Sequence, residues 1–345
     1  NQQIISPVNE DVTFGAENWF YQGLQQAKAG DLMGSLASYD QAISLQPEIY
    51  EYWFNRGLTL FHLGDFDAAL VSYEQALTIK PDAHKAWYNR GGTLGELGRF
   101  SEAIASFEQA IELSPDYYEA WSSRAMALVQ LGLFDDAIDS YNRAINLQPQ
   151  DQDNWYFRGM ALLGKGENWE AIASFERALD IEPHLALAWL NRGIAFSEME
   201  RWEDTITSLD KVIELEPDAQ EAWYIRGNAF DKLEQLPEAL ISYDKALSIK
   251  SDLHEAWIDK GVVLFKLNRA SEAIAAWDNA IKIQPDFYLA WFNRAIALEQ
   301  IGRGDEAIAS YDQAIEINPD FYLAWYNRAV ISFNLQRYEE AIAYY

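Results

Sequence analysis

A tryptophan returns every 34 residues along this chain, at Trp19, Trp53, Trp87, Trp121, Trp155, Trp189, Trp223, Trp257, Trp291 and Trp325, without an insertion or deletion. So strict a period means one short supersecondary unit copied ten times, and it constrains the fold before any residue is considered alone. A linear array has no internal domain boundary, so 345 residues need not be divided into two or three globular domains.

Within each repeat the spacing predicts two helices. In the second repeat Trp53, Gly57 and Leu60 share one face at helical spacing. After a turn at Gly64-Asp65, a second stripe runs through Ala69, Leu70, Tyr73, Ala76 and Leu77. Pro81 cannot continue a helix interior, so the second helix ends before it. Gly64 supplies the positive φ favoured at a helix C-terminus. Asp65 is placed to cap the helix that follows, and Asp82 the first helix of the next repeat. These marks recur. The residue four after Trp is Gly or Ala from Gly23 to Ala329, allowing close approach, and Pro closes every junction except at Ser251. One helix pair cannot bury both its faces, so neighbours stack into a continuous core.

The sixth repeat departs from this pattern. It carries Thr205, Leu209 and Val212 where its neighbours have Ala, an aromatic residue and Ala, and Glu200 in place of the turn Gly. Looser packing or altered curvature is expected there. Residues 1–15 read as a lead-in, with residues 16–345 forming the ten repeats. The last repeat stops within its second helix at Tyr345, leaving an apolar edge to be covered by further chain or by another copy.

Composition narrows the partners. Hydrophobic residues make up 49% of the chain, ample for a core. Against 26 Lys and Arg stand 54 Asp and Glu, a net charge of -28. Nucleic-acid phosphates and anionic membrane surfaces would be repelled. The same charge suits a basic partner and also keeps a long exposed surface soluble. No apolar run approaches the length of a membrane span, so no insertion is expected. The absence of Cys excludes disulfides, thiolate metal sites and a Cys nucleophile. No basic-then-apolar signal opens the chain, which favours the cytoplasm; the lack of Cys and of an initial Met leaves export open.

Catalytic constellations are missing. The stretch from Gly159 to Gly166 imitates the start of a phosphate-binding loop, but it lacks the final Ser or Thr and a preceding strand. Gly159 and Gly166 are there the packing and turn residues of the repeat. His62, His84, His184 and His254 fall in different repeats, never at the i, i+4 spacing of a helical metal site. Acidic clusters such as Asp135-Asp136 lie at turns, where helix capping explains them. With no acid–base pair and no activated nucleophile, neither an enzyme, a cofactor nor a metal is expected.

The combination of Trp, a small residue, Leu or Phe, then Ala, Tyr or Phe, Ala and Pro at these spacings resembles the tetratricopeptide repeat family over residues 16–345. The wording Ala86-Trp87-Tyr88-Asn89-Arg90-Gly91 is similar to bacterial arrays of that family, cyanobacterial ones especially. The resemblance implies an all-α fold: a right-handed superhelical solenoid of ten helix-turn-helix repeats, whose first helices line a concave groove.

Groove positions then follow from the resemblance. The residue after each Trp, including Phe54, Tyr88, Tyr156, Tyr224, Phe292 and Tyr326, would form a mostly aromatic stripe. Next come Asn55, Asn89, Asn191, Asn293 and Asn327, with Asp259 in register. In some relatives an Asn ladder at this position holds the backbone of an extended peptide, which an amide complements with one acceptor and two donors. Both rows have a second reading, in which the Asn residues fix helix packing and the rings pack on their neighbours. Two residues before Trp stand mostly acids, Glu17, Glu51, Glu119, Asp153, Glu221 and Glu255 among them. A carboxylate clamp needs basic residues there, so a basic segment of partner is expected instead. Leu289, Phe292, Ile296, Leu323, Tyr326 and Val330 make the last repeats more apolar, grading the groove from acidic to apolar. Arg three after Trp, from Arg56 to Arg328 with Lys260 in register, reads as a seam residue paired with acids of a neighbouring repeat.

The function expected is a non-catalytic scaffold that takes an extended basic or amphipathic segment of another protein. Two alternatives stand beside it: the recognition arm of a larger enzyme or signalling protein, and a structural element that self-associates through its C-terminal end.

Overall fold

The computed structural model describes residues 14–344, so all but Phe14 and Gly15 of the expected lead-in lies outside the described residues. Among the described residues there are 20 helices and no strand. They form two compact units, the first ending at Glu167 and the second beginning at Asn168. The first holds α1 (Ala16–Lys28), α2 (Leu32–Leu45), α3 (Tyr50–His62), α4 (Phe66–Ile79), α5 (His84–Glu96), α6 (Phe100–Leu113), α7 (Tyr118–Gln130), α8 (Phe134–Leu147) and α9 (Gln152–Lys165). The second holds α10 (Asn168–Ile181), α11 (Ala186–Glu198), α12 (Trp202–Leu215), α13 (Gln220–Lys232), α14 (Leu236–Ile249), α15 (His254–Lys266), α16 (Ala270–Ile283), α17 (Tyr288–Gln300), α18 (Gly304–Ile317), α19 (Tyr322–Asn334) and α20 (Tyr338–Tyr344). Every odd helix carries the Trp. Each pairs with the even helix that follows within its unit, and each even helix packs on the next odd one.

The pair closes around the small residue four after Trp. A Cβ built on Gly57 would sit 2.7 Å from the Tyr73 ring, and one on Gly91 2.6 Å from Phe107. Tyr73 and Phe107 are almost wholly buried, so the ring fills the space that the glycine leaves. In the sixth repeat Leu209 replaces the ring and the gap at Gly193 widens to 3.1 Å. Thr205, Leu209 and Val212 are nonetheless buried, so the departure expected to loosen this repeat is absorbed by an aliphatic core.

The Trp itself does something that a hydrophobic pattern does not disclose. Trp53 Nε1 donates to the Pro47 carbonyl at 2.7 Å, Trp87 to Pro81 at 2.9 Å, Trp121 to Pro115 at 3.0 Å and Trp155 to Pro149 at 3.0 Å. In the second unit the bond recurs from Trp189 to Pro183, Trp223 to Pro217, Trp291 to Pro285 and Trp325 to Pro319, at 2.8 to 3.0 Å. Each bond straps a first helix to the loop that ends the repeat before it. Trp257 makes the same bond to Ser251 at 2.9 Å, because the acceptor is backbone and does not depend on the side chain.

Charged groups reinforce the junction. Arg90 donates Nη1 to Ser106 Oγ at 2.6 Å and Nη2 to Glu74 Oε1 at 3.1 Å, with its guanidinium 5.8 Å from the Trp87 ring centre. The acid lies 16 residues before the Arg and the Ser 16 after, and Arg56, Arg124, Arg192, Arg226 and Arg294 repeat both contacts. The Arg row is therefore the seam device expected from the sequence. Where Lys260 stands instead, it keeps the acid (Asp244, 2.6 Å), and the Ser position becomes Ala276.

Turns and caps depart from expectation in two ways. Asp65 accepts from the Ala68 N–H at 3.2 Å and caps α4 as predicted. Asp82 does not cap α5: the helix starts after Ala83, one residue later, with no side-chain cap, and Asp82 contributes only its carbonyl to His84 N–H at 3.1 Å. The left-handed turn residue is Gly in six repeats, with φ between 70° and 85°. In the other four it is Glu200, Glu234, Asn268 and Gln336, held at φ 57° to 61°, so the turn geometry survives without its glycine.

Two measurements follow. Trp121→Phe keeps an aromatic face but deletes the donor, and should cost about 1 kcal/mol as a lowered denaturation midpoint at unchanged slope. Glu234→Gly removes a Cβ from the left-handed region and should stabilise the chain by about 1 kcal/mol, read as a raised melting temperature.

Candidate functional site

Odd helices lie beside one another as well as beside their even partners. α3 adjoins α5, α5 adjoins α7 and α7 adjoins α9 in the first unit, and α11, α13, α15 and α17 succeed one another in the second. The positions after each Trp thus fall in rows along one face of each unit. In every repeat the residue following Trp is half-buried or exposed, and none is buried.

The aromatic row is partly wall and partly packing. Phe54 stacks on Tyr50 with centroids 5.5 Å apart and an interplanar angle of 21°. Tyr88 lies 5.8 Å from Phe107 and 5.0 Å from Tyr117; Phe292 lies 5.8 Å from Tyr311 and 4.9 Å from Phe321. Tyr117 and Phe321 lie just before α7 and α19, so Tyr88 and Phe292 bridge the core and the start of the next first helix, whereas Phe54 stacks on Tyr50 at the start of its own helix. Tyr156 packs on Phe157 at 5.1 Å, while Tyr326 is 52% exposed.

Two members of the amide row are anchored in their own helices. Asn55 Nδ2 donates to the Glu51 carbonyl at 2.7 Å, and Asn191 Nδ2 to the Leu187 carbonyl at 2.9 Å. This bond uses one amide donor and fixes the side chain's orientation. Asn191 is buried, whereas Asn55, Asn89, Asn293 and Asn327 are half-buried. Asp259 differs in chemistry. Its carboxylate accepts from the Tyr224 hydroxyl at 2.8 Å. Burial pushes the carboxyl up from the ordinary range, and Asp231 and Glu255 push the same way against the Tyr224 hydrogen bond and Lys232. Close by, the Tyr243 hydroxyl donates to Asn228 at 2.7 Å, and Lys266 bridges to Asp231 at 2.7 Å.

Most of the acids two before Trp are exposed, Glu51, Asp153, Glu221 and Glu255 included. Leu289 and Ile296 are half-buried and Leu323 is 38% exposed. Around Tyr326 and Val330 an open apolar pocket of about 330 Å³ is completed by Phe333, Tyr338 and Ile342. A second pocket, of about 480 Å³, is lined by residues of α3, α5, α6 and α7. Gly92 and Gly95 line it, two residues whose sequence signal is a mismatch with the neighbouring repeats.

The stretch from Gly159 is helical through Lys165, and Gly166 caps it at φ 85°. Lys165 bridges Asp135 and Glu167 at 2.6 Å each. No described helix is long and apolar enough to cross a membrane.

A family model described as tetratricopeptide repeat matches residues 72–117, 88–154, 123–186, 190–254, 258–320 and 302–345, and a second model of the same description matches residues 50–83. No curated protein matches the chain. Among solved structures, the C-terminal part of a TPR repeat-containing protein from Cytophaga hutchinsonii is similar at 15% identity and a TM-score of 0.62, over 69% of this chain and 97% of that one. A tetratricopeptide repeat protein from Parabacteroides merdae is similar at 17% identity and a TM-score of 0.53, over 72% of this chain and 98% of that one. YrrB, described as a TPR protein with an unusual peptide-binding site, shares 26% identity over 53% of this chain and 95% of its own, with a TM-score of 0.49.

Asp259 gives this face a pH signature. Its folded pKa lies above the unfolded value of 3.8, so ionisation is harder in the fold than out of it. That penalty is fully present above the folded pKa and vanishes as pH falls below the unfolded one. Asp259→Asn should therefore raise the melting temperature at neutral pH, with the gain shrinking toward zero in acid; the Asn oxygen can still accept from Tyr224.

Proposed function

The chain belongs to the tetratricopeptide repeat family, and from that premise we propose that it is a non-catalytic scaffold whose odd-helix face binds an extended basic or amphipathic segment of another protein. Proteins of this family bind other proteins. One observation carries the reading to this face: the position after Trp stays at least partly open in every repeat, although rings of that size could be sealed in the core. Half-buried rings of fixed orientation supply contact area at low entropic cost. Oriented amides beside them complement a peptide backbone without reading its side chains. The exposed acids two before Trp favour Lys and Arg in the partner, and the exposed apolar residues of the last repeats favour an amphipathic end. The groove residues are accordingly Phe54, Asn55, Tyr88, Asn89, Tyr156, Asn191, Tyr224 and Asp259, with Leu289, Phe292, Asn293, Ile296, Leu323, Tyr326 and Asn327 toward the end. The same face would serve the chain alone, as the recognition arm of a larger protein, or stacked on a second copy.

Short capped peptides rich in Lys test this against Glu-rich ones of equal length. The Lys-rich series should bind, and more weakly as salt rises. Asn55→Ala combined with Asn89→Ala should weaken binding about tenfold, two lost backbone contacts, while leaving the melting temperature almost unchanged. Full binding by this variant would make the amide row purely structural.

A further inference from the structure

The third repeat interrupts the odd-helix face. On α5, Gly92 and Gly95 stand five and eight residues after Trp87, where α3 carries Leu58 and Phe61 and α7 carries Met126 and Val129. Neither glycine is needed by the fold. A Cβ on either would meet no atom within 4 Å, and neither has the left-handed backbone that asks for glycine. In a helix interior each is a liability relative to almost any other residue. What they leave is the pocket of about 480 Å³ walled by the rings of Phe61, Phe100 and Phe107 and by Met126. Its one charged lining group is Glu96, which is exposed, and no cation lines it.

We propose that this pocket is the anchoring subsite of the groove and takes one aromatic side chain of the bound segment, beside a Lys or Arg that faces Glu96. The inference rests on the peptide-binding reading above and adds the chemistry that the partner must carry. Gly92 lies three residues after Asn89 and four after Tyr88, one helical turn along the same face. A segment whose backbone meets the Asn89 amide therefore has a side chain within reach of the pocket. The half-buried rings of Phe61 and Phe100 and the exposed Met126 thioether suit an aromatic guest, through ring–ring and sulfur–ring contact, better than an aliphatic one. Charge adds direction: the Glu96 carboxylate on a chain of net charge -28 accepts a cation next to the ring and opposes an acid there. No other repeat has glycine at either position, so the subsite belongs to one register of the array and would fix where a partner sits along it.

The test uses the chain's own residues. Gly92→Met with Gly95→Val copies α7 into α5, fills the pocket and replaces two helix-weakening glycines, so its melting temperature should match or exceed that of the unsubstituted protein. Capped Lys-rich peptides with a single central Trp, Phe or Ala are titrated against both proteins by calorimetry. For the unsubstituted protein the Trp and Phe peptides should bind about tenfold tighter than the Ala peptide, the effect of burying one ring. In the filled variant that preference should disappear while Ala-peptide binding persists. Equal binding of all three peptides to the unsubstituted protein overturns the subsite and leaves the groove standing. A preference that survives filling overturns it as well. If no peptide binds at all, the groove reading falls and the subsite falls with it. Gly95→Ala, a smaller change, should halve the preference or more, and serves where the double variant fails to fold.

Discussion

The indole N–H that reaches back to the carbonyl of the preceding junction is the interaction on which the stacking depends. Burial of apolar surface is non-directional, so side-chain fit alone must set the angle between one helix pair and the next unless a directional bond joins them. A hydrogen bond from a rigid bicyclic side chain to a backbone oxygen supplies that direction, and it does so six residues away in sequence, across the loop. In six repeats the Arg three after Trp completes the constraint by tying an even helix 16 residues back to another 16 residues ahead, as Arg90 does. Together these contacts explain why the period is held so rigidly. A residue inserted anywhere between Trp and Arg, or in either loop, would misplace a donor relative to an acceptor that cannot move with it.

The two devices tolerate change differently, and the tolerance follows their chemistry. The strap reads backbone, so Ser251 serves where Pro stands elsewhere. The strut reads side chains at both ends, and where the cation loses its fork, as at Lys260, the hydroxyl partner is gone too, replaced by Ala276 in a repeat whose core ring is Trp277. Lys offers one compact ammonium, enough for Asp244 but unable to hold a hydroxyl and a carboxylate in opposite directions as a guanidinium does. In that repeat the larger indole of Trp277 donates to the Ile258 carbonyl at 3.1 Å, so a different internal bond takes over part of the linkage.

Much of this fold was legible in the sequence because it is periodic and amphipathic: helix number, helix length and the small-against-large pairing of Gly57 with Tyr73 all follow from spacing. The errors came where geometry is set by the backbone. Asp82 looks like a cap because capping residues are read by type, but the cap position falls one residue later, at Ala83. Glu234, Asn268 and Gln336 look like ordinary surface residues, yet they occupy the left-handed turn that glycine marks elsewhere. The site was legible only as a set of rows. Whether a ring such as Phe292 faces solvent or Phe321 depends on the start of the following helix, which spacing within one repeat does not contain. Gly92 and Gly95 were visible only as departures from their neighbours, and their meaning needed the empty space above them.

The acidic surplus acquires a structural explanation from the same contacts. Asp40, Glu74, Glu108, Glu176, Asp210, Asp278 and Asp312 each hold an Arg in the seam, so their charge is spent within the stack. The seam draws on cations and anions alike, however, and the chain has 54 acids against 26 Lys and Arg. Pairing every cation still leaves more than half of the acids over, and those must lie outside the seam. The exposed acids two before Trp are among them, on the odd helices and beside the open rings. These residues add to the long-range negative field of the molecule on the side of the candidate groove. A field of that sign would steer a basic segment of the proposed kind toward this face before contact, with a reach of about 8 Å at physiological salt.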